Sequence, residues 1–345
     1  TCFAESFGQY LDMGDNLEHY SISASETSTD ETQKALAQAV SSLKAATALF
    51  VFTGAGMSVD SGIPDYRGPS EQAQWGENPE LSRVYGKSTQ QLSENATWFQ
   101  EDPGAAWGCD VRRWFSTVLP ATPHQGYHVL NSLCARQKDG WFIATSNIDH
   151  QHIFSGADPN RVYAMHGEVF ANPSQTEVRY QCSFDGTDGI GDCPGGLWTA
   201  TTATLLNGLD EASGRVREES LPCCQLCHRP GRPNYLAFKD EFCRVSAFAF
   251  GPKRDAMVSW LRSLRSCGSS AALVILEIGC GTVVRNPRNR TEHELRNNHN
   301  AVLVRINPHE GAVSPDDSRQ ISIPLRAEEA LLALDAILKI DPAWE

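Results

Sequence analysis

The chain has 345 residues, of which 41% are apolar, and a formal net charge of −13 at pH 7. That is enough for one large core, or a large core with a small module. The acidic balance excludes the basic footprint of non-specific nucleic-acid binding and suits a basic peptide instead. No apolar run reaches the roughly 18–20 residues that span a bilayer. No secretory signal precedes the first helix, so the expectation is a soluble intracellular protein of cytoplasm or nucleus, with no membrane and no direct nucleic-acid partner. The sequence is silent on oligomeric state. Eleven cysteines, with a tight group at Cys223, Cys224 and Cys227, point to metal binding before a disulfide framework.

Residues 1–27 lack periodicity and read as a flexible extension. Ser28-Thr29-Asp30-Glu31 has capping-box spacing, and Leu36, Val40 and Leu43 recur on one face, which predicts a helix to about Lys44. Ala48-Leu49-Phe50-Val51-Phe52 is continuously apolar, as a strand buried on both faces of a parallel sheet should be. Glycines follow at once. Gly54 and Gly56 let the backbone turn tightly and approach a ligand, with Ala55 between them, and Ser58 can offer a hydroxyl to a phosphate. Behind Pro64, the group Asp65, Tyr66 and Arg67 is too polar for core. Flanked by Gly62 and Gly68, it reads as a mobile loop that closes over the bound cofactor.

Between Pro69 and Pro120 no run is strand-like. Trp75, Tyr85, Trp98, Phe99, Trp107, Trp114 and Phe115 punctuate short helices and loops that pack over the cofactor loop, or simply form core. Trp141–Thr145 is the next buried strand. It ends in Ser146-Asn147-Ile148-Asp149-His150-Gln151-His152, a polar cluster where open α/β sheets place their sites. The strand 161–165 runs into His166-Gly167, and a histidine there is a candidate base or a satisfied structural residue. From Phe170 to Cys243 the composition turns to Gly, Thr, Asp, Cys and Pro, which cannot build a core alone and needs a staple. Cys224-Gln225-Leu226-Cys227 is a knuckle of the kind that binds zinc. The other half is irregular, with ten residues between Cys182 and Cys193, and Cys223 competes as a ligand. Merely reduced, buried cysteines are the alternative.

Asp255, Val258, Leu261 and Leu264 share a helix face, and 271–278 is another buried strand. Its end, Glu277-Ile278-Gly279-Cys280-Gly281-Thr282, also reads as the opening motif of a methyltransferase using S-adenosylmethionine. Only 63 residues remain after it, too few for the rest of such a sheet at roughly 30 residues per βα unit. The strand 301–306 ends in Asn307, and a helix bearing Leu331, Leu334 and Leu338 closes the chain. Five strands alternating with helices predict a doubly wound parallel, Rossmann-like α/β sheet, with the cysteine segment inserted.

The string from Phe52 to Gly68 resembles the signature of the sirtuins, NAD-dependent protein deacylases, departing at Tyr66. The resemblance covers roughly 33–340. Asn147, Asp149 and His152 match the family's second motif, while Ser146 and Gln151 depart. His166-Gly167 matches the position of its catalytic histidine. Sirtuins carry a four-cysteine zinc module between that His-Gly and an Arg-Pro-Asn, here Arg232-Pro233-Asn234. The following Tyr235–Asp240 segment matches the strand that pairs with substrate, with Lys239 in place of glycine. Gly279 keeps a family glycine, Cys280 and Gly281 depart, and Asn307 matches an adenosine-ribose contact.

The resemblance thus implies an NAD-binding domain over 28–168 and 245–345, whose 70–120 part joins the small lobe, and a zinc module over 169–244. It implies removal of acyl groups from lysine side chains of a protein or peptide, releasing nicotinamide and O-acyl-ADP-ribose. His166, Asn147 and Asp149 would be catalytic. Gly54, Ala55, Gly56, Ser58, Asp65, Tyr66, Arg67, Asn147, Asp149, Gly279, Cys280 and Asn307 would bind NAD. Cys182, Cys193, Cys224 and Cys227 would bind Zn2+ in a purely structural role. An NAD glycohydrolase or ADP-ribosyltransferase using the same cavity, and a silent NAD- and zinc-binding module, are the alternatives.

Overall fold

The computed structural model describes residues 26–65, 79–87, 91–92, 95, 97–171, 174, 176–183, 193, 197–237, 251–265 and 271–341. Within them the strands are β1 (Ala48–Thr53), β2 (Trp141–Thr145), β3 (Val162–Ala164), β4 (Glu177–Cys182), β5 (Leu197–Thr201), β6 (Leu209–Asp210), β7 (Arg215–Val216), β8 (Gly231–Pro233), β9 (Leu273–Ile278), β10 (Ala301–Ile306) and β11 (Gln320–Ile323). Six form one sheet, in the order β11-β10-β9-β1-β2-β3, and all its pairings are parallel.

The apolar runs explain the layering. Every residue of β1 and of β9 is buried, so side chains of alternate parity feed two separate cores. Leu49, Val51, Ile143, Leu276 and Val304 meet the helices Glu26–Ala45, Gln125–Ala135 and Ala327–Lys339 on one face. Phe50, Phe52, Phe142, Ile275 and Leu303 meet Gly251–Ser263 and Asn286–Asn297 on the other. A network of ion pairs lies within this second face, and at its centre Glu277 and Arg305, register partners on β9 and β10, pair at 2.6 Å. The Thr291 hydroxyl donates to the same carboxylate, which satisfies a buried charge that would otherwise be costly.

The expected strands are present with shifted bounds: β1 runs one residue further, to Thr53, β9 starts two residues later, at Leu273, and β3 ends one residue earlier, at Ala164. Arg161 belongs to the turn Pro159–Arg161, so β3 starts one residue later than expected. A sixth strand, β11, was not anticipated, because Gln-Ile-Ser-Ile is too short and too polar to read as a buried strand; it is an edge strand with alternating burial. The first helix starts at Glu26, two residues ahead of the expected cap.

A further core sits beside the sheet. Strand β4 pairs antiparallel with β5 and β8, and β6 pairs with β7. Trp98, Phe99, Trp107 and Trp114 pack with Val178, Tyr180, Leu205 and Val216 in one apolar cluster. The helix Pro103–Arg113, which carries Trp107, starts cleanly at Pro103, with the Asp102 side chain accepting the Ala105 N–H at 3.2 Å. Trp98, Phe99, Trp107 and Trp114 are therefore core, Trp114 also lining the cavity, while Trp75 lies outside the described residues. The cysteine-rich segment does not depend on a metal alone, because it borrows an apolar core from the helical segment, a long-range pairing that local composition conceals.

Candidate active site and thiolate centre

The chain leaves β1 toward β2 and β3 on one side and returns to β9 on the other, so a crevice opens at the carboxyl ends of β1 and β9. Two loops cross there. Gly54 N–H donates to Ile278 O at 2.9 Å and Gly56 N–H to Gly279 O at 3.0 Å. A Cβ on Gly54 would stand 2.6 Å from Gly279 O, and one on Gly56 2.8 Å from Gly279 Cα. The missing side chains thus make room for the β9 loop as well. Both loops still wall a cavity of about 1060 Å³, together with Ala55, Ser58, Asp65, Asn147, Asp149, His166, Cys280, Asn307 and Glu310. Tyr66 and Arg67, and Lys239 of the substrate-strand expectation, lie outside the described residues.

Ser58 is buried at the centre of a polar knot. Its hydroxyl donates to Asp149 Oδ2 at 2.5 Å, accepts from Asn147 Nδ2 at 3.0 Å and lies 3.1 Å from the Tyr127 hydroxyl. That corrects its expected part, because its proton goes to a carboxylate and is not available to a phosphate. Asn147 Nδ2 also donates to Gly54 O at 3.0 Å, tying the β2 motif to the glycine loop. Burial pushes the Asp149 carboxyl up, with hydrogen bonds from Ser58 and the Gln151 N–H working against it. Behind them, burial holds His152 down at about 3. The Thr53 hydroxyl donates to Thr145, so His152 must donate from Nε2 to Thr53, at 2.9 Å. It is a neutral structural histidine.

His166 has the opposite arrangement. Its Nδ1 is 2.8 Å from the Ser146 carbonyl, which fixes the Nδ1–H tautomer and leaves the Nε2 lone pair for the cavity it lines. Burial lowers its pKa, partly offset by that carbonyl, so the ring is a neutral acceptor at pH 7. Gly167 has φ of +110°, and a Cβ there would lie 2.3 Å from Asn234 O. Only glycine lets 234–236 pass so closely, and Leu236 N–H donates to His166 O at 2.7 Å.

At the β9–β10 end, the Cys280 thiol is turned away from the cavity, toward the carbonyls of Phe52 and Ile278. Asn307 Nδ2 donates to Cys280 O at 3.1 Å, and its Oδ1 accepts the N–H groups of His309 and Glu310 at 3.0 and 2.9 Å. Glu310 accepts the Thr282 N–H at 2.9 Å and also the Thr282 hydroxyl. Glu310 and Tyr127 escaped the sequence reading. The first stands in a turn with no motif; the second sits on a helix face that reads as ordinary core, and only its neighbours reveal it.

The four predicted thiols do converge. Cys182, Cys193, Cys224 and Cys227 place their Sγ atoms within 4.8 Å of one another, with Cys182–Cys227 and Cys193–Cys224 each at 3.5 Å. A tetrahedral Zn–S shell of about 2.3 Å bonds needs S–S separations of about 3.8 Å, so the set fits zinc. Burial pushes the Cys227 thiol up, but hydrogen bonds from Arg229 and Cys182 outweigh it and bring it to about 6. Cys223 is exposed, and its thiol donates to Leu221 O, outside the set.

The Sir2 family profile matches residues 54–246, more than half of the chain. The chain is 34% identical over 137 residues to an NAD-dependent protein deacylase of Deinococcus radiodurans, covering 39% of this chain and 50% of that protein. It is 26% identical over 208 residues to NAD-dependent protein deacylase 2 of Corynebacterium efficiens, covering 60% and 66%. The chain thus spans about half the length of the first curated relatives it matches. A solved Sir2 homologue in complex with NAD superposes at a TM-score of 0.57 with 18% identity, covering 90% of this chain and 95% of that one. A Sir2–p53 peptide–NAD+ structure gives 0.55 and 20%, covering 88% and 98%. These structures share the fold, and the profile match over the glycine loop, the Asn147–Asp149 motif, His166 and the thiol cluster shows that the chain belongs to the Sir2 family.

Proposed function

We propose that the chain is an NAD-dependent protein-lysine deacylase that releases nicotinamide and O-acyl-ADP-ribose. One observation carries the reading: a neutral His166 with its Nε2 lone pair facing the same cavity as the Asn147–Asp149 pair and both glycine loops. NAD supplies an activated ribose, whose nicotinamide is the leaving group and whose hydroxyl takes up the acyl group. Asp149 and Asn147 hold the carboxamide end. Asn307, Glu310 and the Gly279–Thr282 loop hold the adenosine end, where a carboxylate suits ribose hydroxyls. His166 Nε2 takes the proton from the ribose hydroxyl, a task suited to a base that is neutral at working pH.

The Tyr235–Ala237 segment lines the cavity beside His166 and offers a strand-wise seat for an extended peptide. A net charge of −13 favours a basic one. Zinc on the four thiolates holds the small sheet and does no chemistry, because such a shell leaves no open position. No helix among the described residues is long and apolar enough to cross a membrane.

The test is nicotinamide release from NAD with and without acyl-lysine peptides of several chain lengths. Release that depends on peptide supports the reading. Equal release without peptide makes the chain a glycohydrolase, and no release with NAD bound makes it a silent binding module.

A further inference from the structure

We propose that the Tyr127 hydroxyl is a positioning group: by donating to Ser58 it obliges Ser58 to donate to Asp149, and so keeps Asp149 an acceptor-only carboxylate on the cavity wall. The argument is a count of protons. Ser58 Oγ has one hydrogen and two lone pairs, and it meets three partners: Asp149 Oδ2, Asn147 Nδ2 and Tyr127. The Asn147 amide can only donate. If Ser58 gives its hydrogen to Asp149, Tyr127 fills the last lone pair and every group is satisfied.

The reverse direction fails. A protonated Asp149 donating to Ser58 would send the Ser58 hydrogen to Tyr127, whose own O–H then has no acceptor among the described residues. Tyr127 is 1% exposed, and folded proteins avoid a buried donor left unpaired. The phenol is a dependable donor here, because burial and the Asp149 carboxylate both raise its pKa well beyond the ordinary tyrosine value. Its other neighbours do not compete for the role. The His124 and His152 rings pack on it, with centroids at 4.7 and 5.0 Å. His124 Nε2 lies 2.8 Å from Met57 O, while its Nδ1 accepts the Gly126 N–H. Asp60, the other nearby acid, is paired with Arg326 at 2.6 Å.

Burial alone raises the Asp149 carboxyl, and the chain Tyr127→Ser58→Asp149 opposes it. Oδ1 already accepts the Gln151 N–H at 3.0 Å, and the Asn147 side chain and the residue's own N–H also stabilise the charged form, so as a carboxylate Asp149 can only accept from a donor in the cavity. On the function proposed above, that donor is the carboxamide NH₂ of nicotinamide, and this consequence rests on that reading. The direction of the chain does not.

The decisive measurement is therefore made on the ligand-free protein: carboxyl-carbon NMR titration of Asp149, its resonance identified by its loss in Asp149→Asn. In Tyr127→Phe the midpoint should rise by about one pH unit. With 3-fluorotyrosine at position 127, a stronger donor that leaves the packing intact, it should fall. Nicotinamide release by Tyr127→Phe should then fall further below wild type as the pH is lowered and converge with it as the pH is raised. An Asp149 midpoint unmoved by either change overturns the proposal, as does a loss of release equal at every pH. If the wild type releases no nicotinamide, the deacylase reading fails, and the NMR titration still decides the direction of the chain. If Tyr127→Phe does not fold, the fluorotyrosine shift decides alone.

Discussion

The parallel sheet and the three-stranded sheet β5-β4-β8 are held by different forces. In β1 and β9 every side chain is buried, each face against its own set of helices. In the small sheet, no residue of β5 is fully buried, Thr199 and Thr201 are exposed, and the apolar support comes from the Trp98–Trp114 segment. The C-terminal end of β4 brings Cys182 into a cluster of four thiols. One region should respond to lost volume and the other to lost metal. The cavity lies between them: the sheet presents Asn147, Asp149 and His166, and the small region presents Tyr235 and Leu236.

The largest expected effect is metal removal. Structural zinc contributes about 10–16 kcal/mol of apparent binding free energy in small modules. Stripping it should abolish hydrogen-exchange protection in 177–182, 197–201 and 231–233 while β1 and β9 keep theirs. Retained protection would mean that the borrowed apolar core suffices. Serine variants of Cys182, Cys193, Cys224 or Cys227 should each lose the zinc, and Cys223→Ser should keep it, as metal analysis will show.

Next in size, His166→Ala should lower peptide-dependent nicotinamide release by about 10²–10⁴. Exchange protection should stay normal in both regions, because the ring's one bond is to the Ser146 carbonyl. A loss of protection would recast the residue as structural. Leu276→Ala, at the middle of fully buried β9, should cost about 2–5 kcal/mol in urea unfolding. Leu226→Ala on the cysteine knuckle, 58% exposed, should change stability by no more than about 0.5 kcal/mol. Equal costs would erase the contrast between the regions.

A pH slope set by two buried histidines that follow β2 tests the same contrast. Burial holds His150 at about 4 and His152 at about 3. From about pH 6.5 downward the unfolded chain takes up protons that these rings refuse when folded. Stability is therefore complete above about 6.5 and falls with pH, by about 1.4 kcal/mol per unit for each ring, until each folded value is reached. Urea midpoints at pH 7 and pH 5 should converge in His152→Gln relative to wild type. An unchanged slope would show that the rings are not buried as neutral groups.

The amino-acid sequence by itself determined the five apolar strands, the polar stretch after β2 and the knuckle at Cys224–Cys227, because these are local: a run of apolar residues or a two-residue spacing keeps its meaning wherever the chain goes. The resemblance carried by the 52–68 string added His166 and the pairing of Cys182 and Cys193 with the knuckle, which no spacing rule yields across ten intervening residues. The tertiary structure decided the rest. It added to Gly54 and Gly56 a crossing with Gly279, since what fills a missing Cβ depends on which strand is the neighbour. It turned the Ser58 hydroxyl from a phosphate donor into the hub between Tyr127 and Asp149, residues separated by 22 positions in the chain and joined only by the winding of the sheet. Hydrogen-bond direction is a property of three groups meeting in space, and no pattern along the chain encodes it.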